Sequence, residues 1–309
     1  MAGTATVVLL ALLLRRSDAL PVDHPNERSL HHRPTPRIGG LALFPGVVLG
    51  CLAVGLPDVD SMLLLGLAGF LFLLSIFDDW RGLAVTLRFG AHLLAAALLA
   101  LALMGASPFV LAGALAVAWM TNLFNFMDGA NGLAGGMAAI GFAAFGLASG
   151  ESALAFALTG AAVGFVMFNF DPARVFLGDA GSIPLGFLAG ALGLLGVVQG
   201  QWPWWFPLLV FSPFVVDATV TLLRRMARRE YFWIAHREHY YQRLVRMGWS
   251  HRRLALAEYA LMAACGGSAL ALLHAGNALQ MLGLALWAAV YAGVMLLIDS
   301  RWARHGDPA

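Results

Sequence analysis

The amino-acid sequence predicts an all-α fold: a polytopic integral membrane helical bundle of about eleven transmembrane helices, with its polar residues gathered at one face. Three observations carry this expectation. Of 309 residues, 60% are hydrophobic and 12% charged, with a mean hydropathy of +0.78, more apolar surface than a soluble domain of this length uses. Apolar runs close to the roughly 20 residues of a bilayer crossing recur from end to end. The basic residues fall only in alternate loops between those runs, the pattern of a chain threaded through a membrane. Residues 1–309 are therefore expected to form a single membrane-embedded domain, with one long loop, 224–253, inside it.

In order, the predicted spans are approximately 2–14, 39–56, 61–77, 87–104, 108–126, 133–149, 152–170, 182–200, 202–223, 254–275 and 277–298. The first is short and is followed by Arg15-Arg16 with no small-residue cleavage site. It is expected to be a short or truncated first helix, not a signal peptide. Pro57, Pro108 and Pro203 mark ends, and frequent internal Gly suits close packing in lipid. Trp202, Trp204 and Trp205 are expected to form an interfacial belt. Cys51 and Cys265 lie inside apolar runs, which assigns them to packing rather than to a disulfide or a metal.

All 19 basic residues are arginine. Arg15, Arg16, Arg28, Arg33 and Arg37 lie in the first loop, and Arg81 and Arg88 follow Asp78-Asp79. Arg174 precedes the eighth span, Arg224 to Arg253 fill the longest loop, and Arg301 and Arg304 are in the tail. The opposite loops are short and hold Asp58, Asp60, Glu151 and His274, without an arginine. The positive-inside rule makes the arginine side cytoplasmic, with the N-terminus outside and the C-terminus inside. Asp78, Asp79, Asp128, Asp179 and the His236/His239 region then share one face.

Three polar segments carry the chemistry: Asp78-Asp79, Asn122 to Asn131 (NLFNFMDGAN) and Phe176 to Ser182 (FLGDAGS). Carboxylates beside hydrocarbon-length helices are costly. Four on one face, with Asn122 and Asn125 beside them, point to a site more than to acids that merely end helices. Hard cations such as Mg²⁺ take oxygen ligands, often one or two carboxylates plus substrate phosphates; surplus acids can serve as base or nucleophile. Gly129, Gly132, Gly178 and Gly181 open into following helices, where backbone N–H groups suit phosphate oxygens. Phe176 can stack on a base, although packing is the commoner role of a single Phe. In the loop 224–253, Arg237 and His239 are the best donors for an anion such as pyrophosphate. The same loop also suits an interfacial segment on anionic lipid. Asp217 lies inside the ninth span, where a functional acid and an interhelical hydrogen bond are equally expected.

With these residues in place, the chain resembles the polyprenyl-phosphate N-acetylhexosamine-1-phosphate transferase family (glycosyltransferase family 4), in particular its O-antigen and lipopolysaccharide-initiating members. The resemblance rests on DHPNERSLHHRPTPRIGG (23–40), IFDDWRGL (76–83), NLFNFMDGANGLAGG (122–136), NFDPARVFLGDAGSIPLGF (169–187) and HREHYYQRL (236–244), five motifs in order at predicted cytoplasmic ends. It implies that Asp78 and Asp79 are the catalytic acidic pair near the lipid phosphate. It implies that Asn125 and Asp179 hold Mg²⁺, with Mn²⁺ as the alternative ion, and that Asn131 and Phe176 hold the uracil of a UDP-N-acetylhexosamine. His239 matches the first histidine of the histidine loop near the pyrophosphate, and Asp128 matches an acid of bacterial members. The acceptor implied is undecaprenyl or another polyprenyl phosphate, in a bacterial inner membrane; nucleic acid is not an expected partner.

Three positions depart from the family pattern. Bacterial members commonly read DGxDG where this chain reads DGANG, with Asn131 for the second Asp; dolichol-linked relatives share that Asn. Tyr241 replaces the second histidine of the H-x-H pattern, and Arg88 stands where relatives often have Lys. A transporter with a cytoplasmic acidic cation site is the alternative reading, but it predicts acids near the midplane and repeated broken helices. An intramembrane aspartyl protease would need two facing Asp within spans, and Asp217 alone is inside one. The residues leave open which UDP-sugar is used, whether an Asp or the lipid phosphate attacks first, and whether the chain forms a homodimer.

Overall fold

The structure, a computed structural model, describes residues 1–309 except 16–20, 24, 26–29, 31, 32, 56, 151, 232–235 and 306–309. Arg16, Arg28 and Glu151, used above to orient the chain, lie outside the described residues. The described residues form α1 (Ala2–Leu14), β1 (Val22–Asp23), β2 (Thr35–Pro36), α2 (Gly39–Leu52), α3 (Val59–Arg81), α4 (Val85–Met104), α5 (Val110–Met127), α6 (Leu133–Ser149), α7 (Ala153–Asn169), α8 (Asp179–Val198), α9 (Trp205–Val210), α10 (Ser212–Ala227), α11 (Tyr240–Arg246), α12 (His251–Leu273) and α13 (Asn277–His305).

This is a multi-pass membrane protein. Every expected apolar segment is helical. Six helices, α3, α4, α5, α8, α12 and α13, are long and apolar enough to cross a membrane, while α1, α2, α6 and α7 are apolar but shorter. Length and composition alone therefore do not yield eleven crossings. The expected ninth span is two helices: the chain breaks at Phe211, and Pro213 opens α10, where its missing N–H costs nothing. Tight connections are fixed by local chemistry. Asp58 caps α3 through Ser61 N–H at 2.8 Å, Ser152 and Ser250 cap α7 and α12 in the same way, and Gly82 ends α3 at φ +67°.

The architecture is built around α8. Of its apolar window, 72% is buried, against 11% for the peripheral α13. It packs on α5, α3, α2, α6 and α4. Small residues allow the close approach: a Cβ on Gly186 would lie 2.6 Å from the Met120 carbonyl of α5. Because α5 ends and α8 begins at the same end of the bundle, this contact brings Asn125 against Asp179. At that end β1 and β2 form an antiparallel ribbon, with Val22 opposite Pro36 and Asp23 opposite Thr35. Residues 36–40 also pair with the FLGDAGS segment: Phe176 N–H donates to Pro36 O at 2.8 Å, and Gly39 and Gly40 N–H donate to Phe176 O and Leu177 O.

The tryptophans correct the expected belt. Trp202 and Trp205 are buried and only Trp204 is exposed. Trp202 stacks on Phe145 and donates its indole N–H to Gly193 O at 3.1 Å. Aromatic burial outweighs an interfacial position here, because the indole N–H finds a partner inside. Cys51 and Cys265 are both buried, as packing residues are expected to be.

Candidate active site

Four helix ends meet in one bonded group. Asp78, in the last turn of α3, accepts Leu83 N–H at 2.6 Å on one carboxylate oxygen and Arg88 Nη1 at 2.8 Å on the other. Arg88 stands in the first turn of α4 and lies 3.6 Å from Asp179, which opens α8. Asp179 Oδ1 accepts from Asn125 Nδ2, in the last turn of α5, at 3.0 Å, and the same amide donates to Ser182 Oγ at 3.1 Å. Arg37 approaches Asp179 from the other side at 3.8 Å. Asp79 is exposed and lies within electrostatic reach of Asp179, Arg37, Asp78 and Arg88.

The oxygen donors here are of the kind that a hard cation such as Mg²⁺ takes. Asp78, Asp79 and Asp179 concentrate hard oxygen donors around two arginines. No group of three or more His, Cys, Asp or Glu among the described residues closes into a metal cage. An ion that takes one or two carboxylates and completes its shell with substrate phosphate and water matches that arrangement.

Beside the acids is a cavity of about 110 Å³, lined by Asp23, Arg37, Asp128, Asn131, Phe176 and His251, among others. Arg37 belongs to both the acid group and the cavity. Burial opposes its charge, but Asp179, Asp23, Asp79 and Asp128 together outweigh that cost and raise its pKa. Burial pushes the Asp128 carboxyl well above the usual carboxylate range; Arg37 opposes the shift, and Asp179 and Asp23 add to it. Asn131 Nδ2 donates to Asp171 Oδ1 at 2.9 Å. His251 receives the Asn131 N–H on Nδ1 at 3.3 Å, and its Nε2 meets Leu30 O at 3.0 Å.

The histidine loop is held from beneath by Asp217. One Asp217 oxygen accepts Tyr240 N–H at 2.9 Å and the other accepts Tyr241 N–H at 3.0 Å. His239 Nδ1 lies 3.3 Å from the first of these oxygens. His239 and Gln242 close a capping box at the start of α11. Asp217 thus serves the hydrogen-bonding role, across elements. Tyr241, fully buried, donates its hydroxyl to Phe126 O at 3.1 Å and packs on Gly129, where a Cβ would strike it. The His236 imidazole, beside His239, is pushed down to about 4 by burial and by the neighbouring His239 and Arg225.

The expected residues thus separate into groups. Asp78, Asp179 and Asn125 meet around Arg88, with Asp79 within electrostatic reach; Asp128, Asn131 and Phe176 line the adjoining cavity. Asn122 lies about one turn deeper, with its amide donating to Ala118 O at 2.7 Å and its oxygen 3.2 Å from His92 Nδ1. His239 is buried and faces Asp217, and the half-buried Arg237 has no acid partner among the described residues. Two expectations narrow. Four of the loop arginines are not free for an anion: Arg225 and Arg228 pair with Glu230 and Glu238, and Arg224 and Arg243 pair with Asp299 at 2.7 and 2.9 Å. Nor is the first amide of the α6 turn open to a phosphate, since Gly132 N–H donates to Asn169 Oδ1 at 2.8 Å. Sequence reasoning missed Arg37, Asp171 and His251 as site residues. The RIGG run beside Arg37 was the available signal, because paired glycines at a helix start mark a close backbone approach.

Residues 61–197 match the model of glycosyl transferase family 4. The chain is 30% identical to a probable undecaprenyl-phosphate N-acetylglucosaminyl 1-phosphate transferase of Bacillus subtilis, over 77% of this chain and 73% of the relative. The chain belongs to this family of polyprenyl-phosphate N-acetylhexosamine-1-phosphate transferases. It is also 28% identical to the decaprenyl-phosphate N-acetylglucosaminephosphotransferase of Mycobacterium tuberculosis, over 93% of this chain and 83% of the relative. Against the undecaprenyl-phosphate alpha-N-acetylglucosaminyl 1-phosphate transferase of Escherichia coli the identity is 28%, over 75% and 71%. The family match runs from near the start of α3 to near the end of α8, so it contains Asp78, Asp79, Asn125, Asp128, Asn131, Phe176 and Asp179, while Asp23, Arg37 and His251 of the cavity lie outside it.

Proposed function

We propose that the chain transfers N-acetylglucosamine 1-phosphate, or a closely related N-acetylhexosamine 1-phosphate, from a UDP-sugar to polyprenyl phosphate. UMP is released, and the product is the lipid-linked pyrophosphoryl sugar that begins an envelope glycan such as O-antigen. The observation that carries this reading is the junction of four helix ends, where Asp78, Arg88, Asp179 and Asn125 bond to one another beside a polar cavity containing Asn131 and Phe176. The names of the relatives supply the acceptor and the sugar. The one-sided arginines support a cytoplasmic site in the bacterial inner membrane.

In the reaction an acceptor phosphate oxygen bonds to the phosphorus that carries the sugar, and the bond from that phosphorus to UMP breaks, with UMP taking the electron pair. Catalysis of such a step is largely positioning and charge stabilisation. Mg²⁺ held by Asp179 and Asn125 would neutralise charge on the phosphoryl oxygens. Arg37 and Arg88, both against Asp179, are cations for the pyrophosphate. Asp78 is committed to Leu83 N–H and Arg88, so it orients Arg88; attack by Asp78 would break both bonds. Asp79 is the open carboxylate, suited to take a proton from the acceptor phosphate. Asn131 and Phe176 offer an amide and a ring to the uracil, and His239, at the start of α11, stacks on Phe126 at the end of α5.

The test is UMP release by the purified protein with undecaprenyl phosphate, UDP-N-acetylglucosamine and Mg²⁺ or Mn²⁺. Inactivity of folded protein across a broad panel of UDP-sugars would overturn the proposal. Asp79→Asn and Asp179→Asn should each abolish turnover, and normal activity in either removes that residue from its role.

A further inference from the structure

We infer that the end of α13 carries a binding site for the headgroup of an anionic phospholipid, distinct from the candidate active site. An open groove of about 500 Å³ lies there, lined by Leu244, Met247, Trp249, Arg301, Arg304 and His305. Its basic wall is the last two turns of α13. Its floor is the end of α11 and the segment that follows. Two more guanidinium groups lie over indoles nearby: Arg253 is 4.1 Å from the Trp249 ring centre, and Arg246 is 4.7 Å from that of Trp302.

Among the described residues, the charge here is left over. Arg224, Arg225, Arg228 and Arg243 each have an acid partner, and Asp299, one turn before the groove, is taken by Arg224 and Arg243. Among the described residues no acid pairs with Arg301, Arg304 or Arg253. A soluble anion would use those cations alone. A phospholipid also uses the apolar floor and the flank of α13, where Leu296 and Leu297 are exposed along a helix whose apolar window is only 11% buried. Arg, His and Trp with an apolar base are the side chains that belong at headgroup depth. The occupant is therefore assigned as a membrane phospholipid bearing net negative charge.

The groove also touches the histidine loop. Leu244 lines it from α11, and the other end of that seven-residue helix is held on Asp217 beside His239. A bound headgroup would brace α11 against α13.

The experiment is lipid retention by the full-length protein, measured by native mass spectrometry from equal mixtures of phosphatidylglycerol and phosphatidylcholine. The readout is binding, so it is independent of the proposed reaction. Wild type should retain phosphatidylglycerol preferentially. Each arginine near an anionic headgroup contributes about fivefold, so Arg301→Gln/Arg304→Gln should lose roughly 25-fold of that preference, while Arg301→Lys/Arg304→Lys keeps most of it. Equal retention of both lipids by wild type, or an unchanged preference in the Gln pair, overturns the inference. So does loss in the Lys pair equal to that in the Gln pair. Displacement of phosphatidylglycerol by inorganic phosphate, or by polyprenyl phosphate at equal concentration, would reassign the groove to a free anion or to the acceptor lipid, and also overturns it.

Discussion

Replacement of Asp217 by Asn tests how the histidine loop is held. The two carboxylate oxygens receive the first two N–H groups of α11, at 2.9 and 3.0 Å, at a side chain that is buried. Thr221 Oγ1 adds a third bond at 3.2 Å. An amide keeps one acceptor and turns an NH₂ toward the other N–H, so one buried charge-assisted bond is lost. Such bonds contribute about 1.5–3 kcal/mol, and loss of a helix cap costs about 0.5–2 kcal/mol. Taking about 2 kcal/mol, at about 1.4 kcal/mol per tenfold, α11 should open roughly 30-fold more often. Amide hydrogen exchange at Tyr240 and Tyr241 should accelerate by that factor, while exchange in α5 and α8 stays as in wild type. UMP release should fall with it, since His239 and Tyr241 leave their places. Unchanged exchange would refute the capping argument. Unchanged exchange with lost turnover would make Asp217 a chemical participant instead.

Three further outcomes follow from the geometry. Asn131→Asp sets a carboxylate against Asp171, where an amide now donates at 2.9 Å; the pair cannot both ionise cheaply. UDP-sugar affinity of the variant should drop about tenfold or more at alkaline pH and recover on acidification, as one proton restores the bond, and wild-type affinity at high pH would count against the contact. Asp128 has a raised carboxyl pKa, from burial first. Between the unfolded value, about 3.9, and the raised one, the folded chain binds more protons, so this group lowers stability as pH rises through that window. Asp128→Asn should therefore melt higher than wild type at neutral pH and converge with it toward acid; equal melting at neutral pH would contradict the burial. Finally, a Cβ on Gly40 collides with the backbone of Ala180 and Gly181 across the α2–α8 contact, whereas Gly90 has open space around it. Gly40→Ala should cost about 1–3 kcal/mol or more and lower the folded yield in detergent, while Gly90→Ala should be silent.

What the sequence disclosed depended on the range of the forces involved. Apolar length marked the helical segments, because hydropathy is a property of each segment alone. The one-sided arginines alone gather Asp78, Asp179 and Asn125 at one face. The break at Phe211 was hidden, since 202–223 reads as one apolar run and Pro213 suits the first turn of a helix as well as an interruption. The trio of tryptophans misled because burial of Trp202 depends on a carbonyl on α8 and a ring on α6. The pairing of Arg224 and Arg243 was hidden because their acid, Asp299, lies in another helix, 75 and 56 residues away. His251 carried no local sign; its two bonds reach Asn131 and Leu30, both more than 100 residues away.

Two helices of comparable greasiness, α8 and α13, stand at opposite extremes of enclosure. The consequence concerns how this chain can vary. Along α13 any side chain that dissolves in acyl chains serves, so Leu, Ile, Val and Met can drift freely there. Along α8 each position is fixed by the shape of five neighbouring helices, and a swap that leaves the hydropathy profile untouched still wedges Asn125 away from Asp179. Natural variation should therefore fall mostly on the rim of the bundle, while the middle resists even conservative exchange.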